Sequence, residues 1–159
     1  MIAPTVIMKI KELIQSITEK HRSYGIDINP PATAEMLKLF EQQMGFPLPA
    51  DFVAFYTTCN GFGCTQDIFD MTPLHEIRTY SSDYGSNWFD FAEYMISSDS
   101  WGLRYTNNGR YEIFNSIYPG KPMTHSLEEF LEHFLAGNVF DKGGLYDWQE
   151  ELGIGPEHL

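Results

Sequence analysis

The stretch Pro31 to Gly61 reads PATAEMLKLFEQQMGFPLPADFVAFYTTCNG, and its punctuation predicts two short helices in tandem. Thr33 is placed to cap a helix whose apolar stripe is Met36, Leu37, Phe40 and Met44, and Gly45 supplies the stop. Pro47-Leu48-Pro49 then forces an extended link, because a proline pushes the residue before it out of helical space. Phe52, Phe55, Tyr56 and Cys59 follow at i, i+3, i+4 and i+7, one apolar face of the next helix. Asn60-Gly61 closes that helix in a turn suited to positive φ.

Working outward, Val6, Ile10, Leu13, Ile14 and Ile17 recur at helical spacing and predict a helix from about Thr5 to Tyr24, stopped by Gly25. Asn29-Pro30-Pro31 reads as a linker. Residues 62–93 carry no clear period, and Ser81 to Asn87 is polar and read as a loop. Beyond it, Trp101–Tyr105 and Tyr111–Phe114 flank Asn107-Asn108-Gly109. A three-residue loop sets Tyr105 against Tyr111, Leu103 against Ile113 and, on the other side, Arg104 against Glu112. A two-residue loop would set Tyr105 against Glu112 and mix the faces, so burial selects the first register, with Gly109 left-handed. Ser126-Leu127-Glu128-Glu129 has the pattern of a capping box. Leu127, Phe130, Leu131, Phe134 and Leu135 then make an apolar face that ends at Gly137, and a last helix is expected at about Leu145–Leu152. Helices at both ends with strands between predict an α+β fold, an antiparallel or mixed sheet with helices packed around it.

The chain has 159 residues, 43% of them hydrophobic and 15% aromatic, which fits a single domain (1–159) with a real core and excludes a disordered chain. No apolar run approaches the roughly 20 residues needed to span a bilayer. The start lacks a basic n-region and meets Lys9 early, so it is a poor signal peptide, and Met8 serves equally well as a start. Cys59 and Cys64 allow one bridge at most, and reduced thiols in the cytoplasm are the simpler expectation. Asp plus Glu number 22 against 10 Lys plus Arg, a net charge of -12. Phosphate repels such a chain, so nucleic acid and anionic membranes are poor partners and a basic protein is a good one.

Motifs for chemistry are missing. There is no P-loop, and Gly61-Phe62-Gly63 and Gly153-Ile154-Gly155 lack the rest of a phosphate fingerprint. Gly85-Ser86-Asn87 is not a nucleophile elbow. His75-Glu76-Ile77-Arg78-Thr79 fails as a zincin motif, because Thr79 stands where the second histidine belongs. The two cysteines have no second ligand pair, and Glu128, Glu129 and Glu132 sit where the first turns of a helix favour acids anyway. No catalytic residue, metal or cofactor is expected. The charge itself is the signal: residues 67–99 hold seven acids against Arg78 alone. Phe69, Met71, Tyr80, Tyr84, Trp88, Phe89 and Phe91 lie among those acids. Rings beside rim charges are what protein interfaces use, while the same rings also suit a core. The candidate partner-binding residues are Asp67, Asp70, Glu76, Asp83, Tyr84, Trp88 and Asp90. If these side chains scatter over opposite faces, or Trp88 is wholly buried in the core, the second acidic segment, Glu128 to Glu157, is the place to look.

The same stretch that opened this reading resembles the signature of the SUKH superfamily (the Smi/Knr family). Glu35, Met44-Gly45, Phe46-Pro47-Leu48-Pro49, Asp51-Phe52 and Asn60-Gly61 carry the resemblance in order. Phe69 to Ile77, Phe91-Ala92 with Trp101 to Tyr105, and Ser126 to Leu135 are similar to its later segments. Leu103-Arg104 and Phe62 depart from the family pattern, which often has an acid and a second glycine there. The similar core covers about residues 31–136, leaving the N-terminal helix, 5–24, and the acidic extension, 137–159, outside it. The resemblance implies an α+β fold and a non-enzymatic protein-binding role. It implies first a cytoplasmic bacterial immunity protein that neutralises a cognate basic toxin, a nuclease among the candidates. The alternative is a regulatory scaffold of the cell-wall synthesis type, and an enzyme of unrecognised kind is the third class.

Overall fold

The computed structural model describes residues 4–77, 87–96, 98–106 and 110–156. The first helix, α1 (Pro4–His21), buries Ile10, Leu13, Ile14 and Ile17 as the spacing predicts. It ends before Tyr24, because the Tyr24 and Gly25 amides turn back onto the His21 carbonyl and start strand β1 (Ile26–Ile28). Helix α2 (Ala34–Met44) is bounded as expected: the Thr33 hydroxyl accepts from the Met36 amide, and Gly45 is left-handed at φ 84. In α3 (Ala50–Thr58) and its cap, Phe52, Phe55, Tyr56 and Cys59 are all buried.

Among the described residues, six strands form one antiparallel sheet in chain order: β1, β2 (Phe62–Cys64), β3 (Phe69–Met71), β4 (Trp88–Tyr94), β5 (Asp99–Tyr105) and β6 (Tyr111–Asn115). The hairpin register is the one that burial selects, with Tyr105 opposite Tyr111, Leu103 opposite Ile113 and Arg104 opposite Glu112. Residues 107–109, and with them the proposed left-handed Gly109, lie outside the described residues, as do 81–86 of the expected loop.

Helix α4 (Leu127–Gly137) buries Leu127, Phe130, Leu131 and Phe134, and α5 (Leu145–Glu151) follows. The capping box closes differently from the sequence pattern. Ser126 Oγ accepts from the Glu129 amide at 3.1 Å, but the Glu129 carboxylate takes the Thr124 hydroxyl. Thr124 Oγ1 in turn accepts from the Ser126 amide at 3.2 Å, so Thr124 completes the cap.

The helices lie on one face of the sheet, and the core between the layers is built on rings. Phe52 meets Phe89, Phe91 and Tyr111 edge-on, and Phe134 stacks on Phe69 with centroids 4.1 Å apart. One carboxylate locks the layers. Asp51 accepts from its neighbour Phe52 N–H at 2.9 Å, from the Leu127 N–H at 3.0 Å and from the Tyr111 hydroxyl. It thereby joins the starts of α3, α4 and β6. Burial pushes its carboxyl up, and those three donors pull it back down.

Candidate functional site

Alternation along the strands sorts the acidic stretch. In β3, Phe69 and Met71 point into the core and Asp70 points to the outer face, away from the helices. In β4, Phe89 and Phe91 are fully buried while Trp88 and Asp90 point outward, with a bulge between Asp90 and Ala92. The interleaving of rings and acids is therefore the pattern of a sheet with one buried face. Phe69, Met71, Phe89 and Phe91 belong to the core and have no surface to offer a partner.

The registers then gather charges from distant parts of the chain. Asp27 is opposite Gly63, Gly63 opposite Asp70, Asp70 opposite Glu93, and Glu93 opposite Ser100. This row runs across five strands of the outer face. Around it, Asp27, Asp70, Glu76 and Glu93 line a groove of about 280 Å³, and among the described residues no Lys or Arg lines it. Strands β1 to β4 contain no base at all. Gly63 makes room: a Cβ there would stand 2.6 Å from Asp70 Oδ1, so the carboxylate lies across the glycine. Asp90 likewise lies across Gly102, and it accepts from the Ser116 hydroxyl at 2.5 Å and the Ser100 hydroxyl at 3.4 Å.

The electrostatics follow from this crowding. The Asp70 carboxyl is pushed above its usual range by burial, then by Glu93 and by Glu76. Asp90 is pushed up mainly by burial, against its two serine donors, with smaller contributions from Glu93 and Asp99. The β5–β6 end of the same face is different. There Arg104 Nη2 meets Glu112 Oε1 at 2.5 Å, donates to the Pro119 carbonyl at 2.8 Å and sits 4.8 Å over the Phe114 ring. At the β1–β4 end Asp70 and Glu93 stand directly opposite one another.

Not all the residues singled out from the sequence meet here. Asp70, Glu76 and Asp90 share the outer face. Asp67 turns instead toward the helices, where its carboxylate accepts from the Val139 N–H at 3.1 Å. Trp88 is only 4% exposed and packs on Phe114 on the outer side of the sheet, so its ring is not a surface anchor. Asp83 and Tyr84 lie outside the described residues. Asp27 and Glu93 complete the groove and were missed, because three residues of β1 show no period and the bulge between Asp90 and Ala92 breaks the alternation before Glu93.

Apolar side chains reach the surface two residues along from the row. Met95 N–H donates to the Ile68 carbonyl at 2.9 Å, joining two turns in which Asp67, Ile68, Met95 and Ile96 all have φ between 49 and 63°. β-branched residues rarely adopt that conformation. Ile96 is 83% exposed there, beside exposed Ile68 and Met95.

Among the described residues, no helix is long and apolar enough to cross a membrane. Comparison with curated proteins gives no match. The model of the SMI1 / KNR4 family (SUKH-1) matches residues 31–134, well over half of the chain and the span that holds α2, α3, the whole of β2 to β6 and most of α4, and the protein belongs to that family.

Proposed function

We propose that this protein is a non-enzymatic, cytoplasmic immunity protein that docks a basic toxin domain against the acidic groove of its sheet. Family membership supports a toxin-immunity or regulatory role, exercised through protein–protein interaction. The observation that carries the finer reading is the pair Asp70–Glu93. Like charges directly opposite one another destabilise a sheet, and here the pair is flanked by Asp27 and Glu76 with no base on the four strands around it. A cationic surface laid over the groove complements this concentration of carboxylates. The exposed Ile68, Met95 and Ile96 supply apolar contact beside the charges, the role that Trp88 does not fill. Two free, buried thiols, Cys59 and Cys64, both pushed up to about 12 by burial, accord with a reducing compartment.

The test uses the product of the gene next to this one, which is expected to be a toxin. Co-expression should protect cells from it, and calorimetric titration should show affinity falling as ionic strength rises from about 0.01 M to about 0.15 M, where the Debye length shrinks from about 30 Å to about 8 Å. Replacing Asp70, Glu76 and Glu93 together by their amides should slow association and abolish most of the salt dependence. Protection that survives this triple change unaltered would show that the groove is not the docking site. A protein that binds an endogenous basic partner through the groove but protects against no toxin would be a regulatory scaffold instead.

A further inference from the structure

Under the last helix, on the other side of β5 from the acidic groove, a second pocket of about 330 Å³ opens between Asp99, the segment after β6, and α5. Tyr118 and Tyr146 contribute rings to its lining, Ile117 and Ile154 contribute apolar surface, and Asp99 and Glu150 contribute carboxylates. No base lines it. Asp99 is 9% exposed, yet all its partners are neutral. Its Oδ1 accepts from the Ser100 N–H at 2.9 Å and from Asn115 Nδ2 at 3.1 Å. Its Oδ2 accepts from the Tyr146 hydroxyl at 2.5 Å and from the same Asn115 amide at 3.1 Å. Buried carboxylates are usually paired with a cation, and among the described residues none is within ion-pair distance of this one. The Tyr146 wall is packed. The Tyr146 ring rests against Trp101 and Phe140, with centroids 6.0 and 5.4 Å away, and burial and Asp99 together hold its hydroxyl protonated as a donor.

We infer that this pocket is a socket for one arginine side chain of the partner. Aromatic rings attract a cation, and a guanidinium stacks on them and is more weakly hydrated than an ammonium, so arginine suits a site that is part aromatic and part acidic better than lysine. Its apolar stem would lie along Ile117 and Ile154, with Glu150 at the open side and Asp99 as the fixed charge below. Ser100 and Ser116, the two donors to Asp90 on the outer face, are the chain neighbours of Asp99 and Asn115, so the socket lies on the helix side of the same two strands. The inference rests on the partner being basic, as proposed above, but it is tested without the partner.

N-acetyl-arginine amide serves as the probe and N-acetyl-citrulline amide, its neutral near-isostere, as the control, each titrated into the full chain labelled with ¹⁵N. The arginine compound should give saturable shifts in the millimolar range, largest at the Gln149 side-chain amide and at the Trp101 indole N–H that donates to Gln149 at 2.7 Å. The citrulline compound should bind at least about tenfold more weakly, and the lysine analogue more weakly than arginine. Glu150 is exposed, so Glu150→Gln should fold normally and lower the affinity about threefold, and Tyr118→Leu should lower it further. Equal shifts from arginine and citrulline, or shifts confined to Asp27, Asp70 and Glu93, would overturn the socket. Toxin binding through the groove with no response of the pocket to the probe overturns this inference alone. A pocket that takes the probe in a protein that binds no basic protein overturns the earlier reading alone.

Discussion

Asp70→Asn removes one charge from the acidic row and keeps the side chain's shape. Asp70 stands directly opposite Glu93, with Glu76 and Asp27 around the same groove, and the hydrogen bonds of the described residues do not end on its carboxylate. The substitution therefore takes away repulsion and little else. A like-charged cross-strand pair is worth up to about 1 kcal/mol, and solvent at this half-exposed site screens it, so a gain of about 0.5 kcal/mol is expected at neutral pH. With a urea slope of about 1–3 kcal/mol/M for a domain of this size, the midpoint should rise by about 0.2–0.5 M. The sign with pH follows from the raised carboxyl. Because the folded form holds its proton more tightly than the unfolded one, the native protein gains stability as pH falls through the raised value, until both states are protonated below the ordinary 3.8. The two proteins should therefore converge in acid, and also in high salt at neutral pH. Urea unfolding at neutral pH and near pH 4 measures both differences. A variant equal to or less stable than the parent at neutral pH, with an unchanged slope, would refute the repulsion argument. The same variant should bind the basic partner more weakly, so stability and affinity should move in opposite directions.

Three further outcomes test the frame that carries the groove. Asp51→Ala strands the Tyr111 hydroxyl proton in a buried place and leaves the Leu127 N–H with the Tyr111 oxygen alone, and should lower stability by about 1–3 kcal/mol in urea unfolding. Phe130→Ala should cost about 3–5 kcal/mol, because the ring is fully buried against Phe91 and Trp101, while Leu152→Ala, at an exposed position, should stay within about 0.5 kcal/mol. His21 is buried, stacked on Phe134 and bonded to Asn138 at 2.9 Å, and burial lowers its pKa, so its contribution is full above 6.5 and is lost as pH falls from there through the lowered value. A series of unfolding curves below pH 7 should show that slope in the parent and lack it in His21→Leu, so the difference between the two should change as pH falls.

The sequence made legible what depends on neighbours along the chain. Thr33 and Gly45 mark their helix because a cap needs only three or four residues, and the hairpin register follows from which of two loops keeps Tyr105 and Leu103 on the buried side. Strands β1, β2 and β3 have three residues each, too few to show a period of two, so they were absent from the reading. The same shortness disguised the acidic stretch: phenylalanines between aspartates look like an interface when the strands that alternate them are not recognised. Asp51 shows a different limit, because its partners Tyr111 and Leu127 lie 60 and 76 residues away and nothing local marks it as their common acceptor.

The groove stands between these cases. A charge count finds the acids of residues 67–99, but Asp27 joins Asp70 and Glu93 only through three antiparallel registers and across a glycine. Those registers are fixed by the core. Slipping β3 by one residue against β4 would turn Asp70 toward the helices and bring Phe69 or Met71 to the surface. Burial of Phe69 and Met71 thus holds Asp70 against Glu93, and the hydrophobic core is what keeps the like charges together on the opposite face.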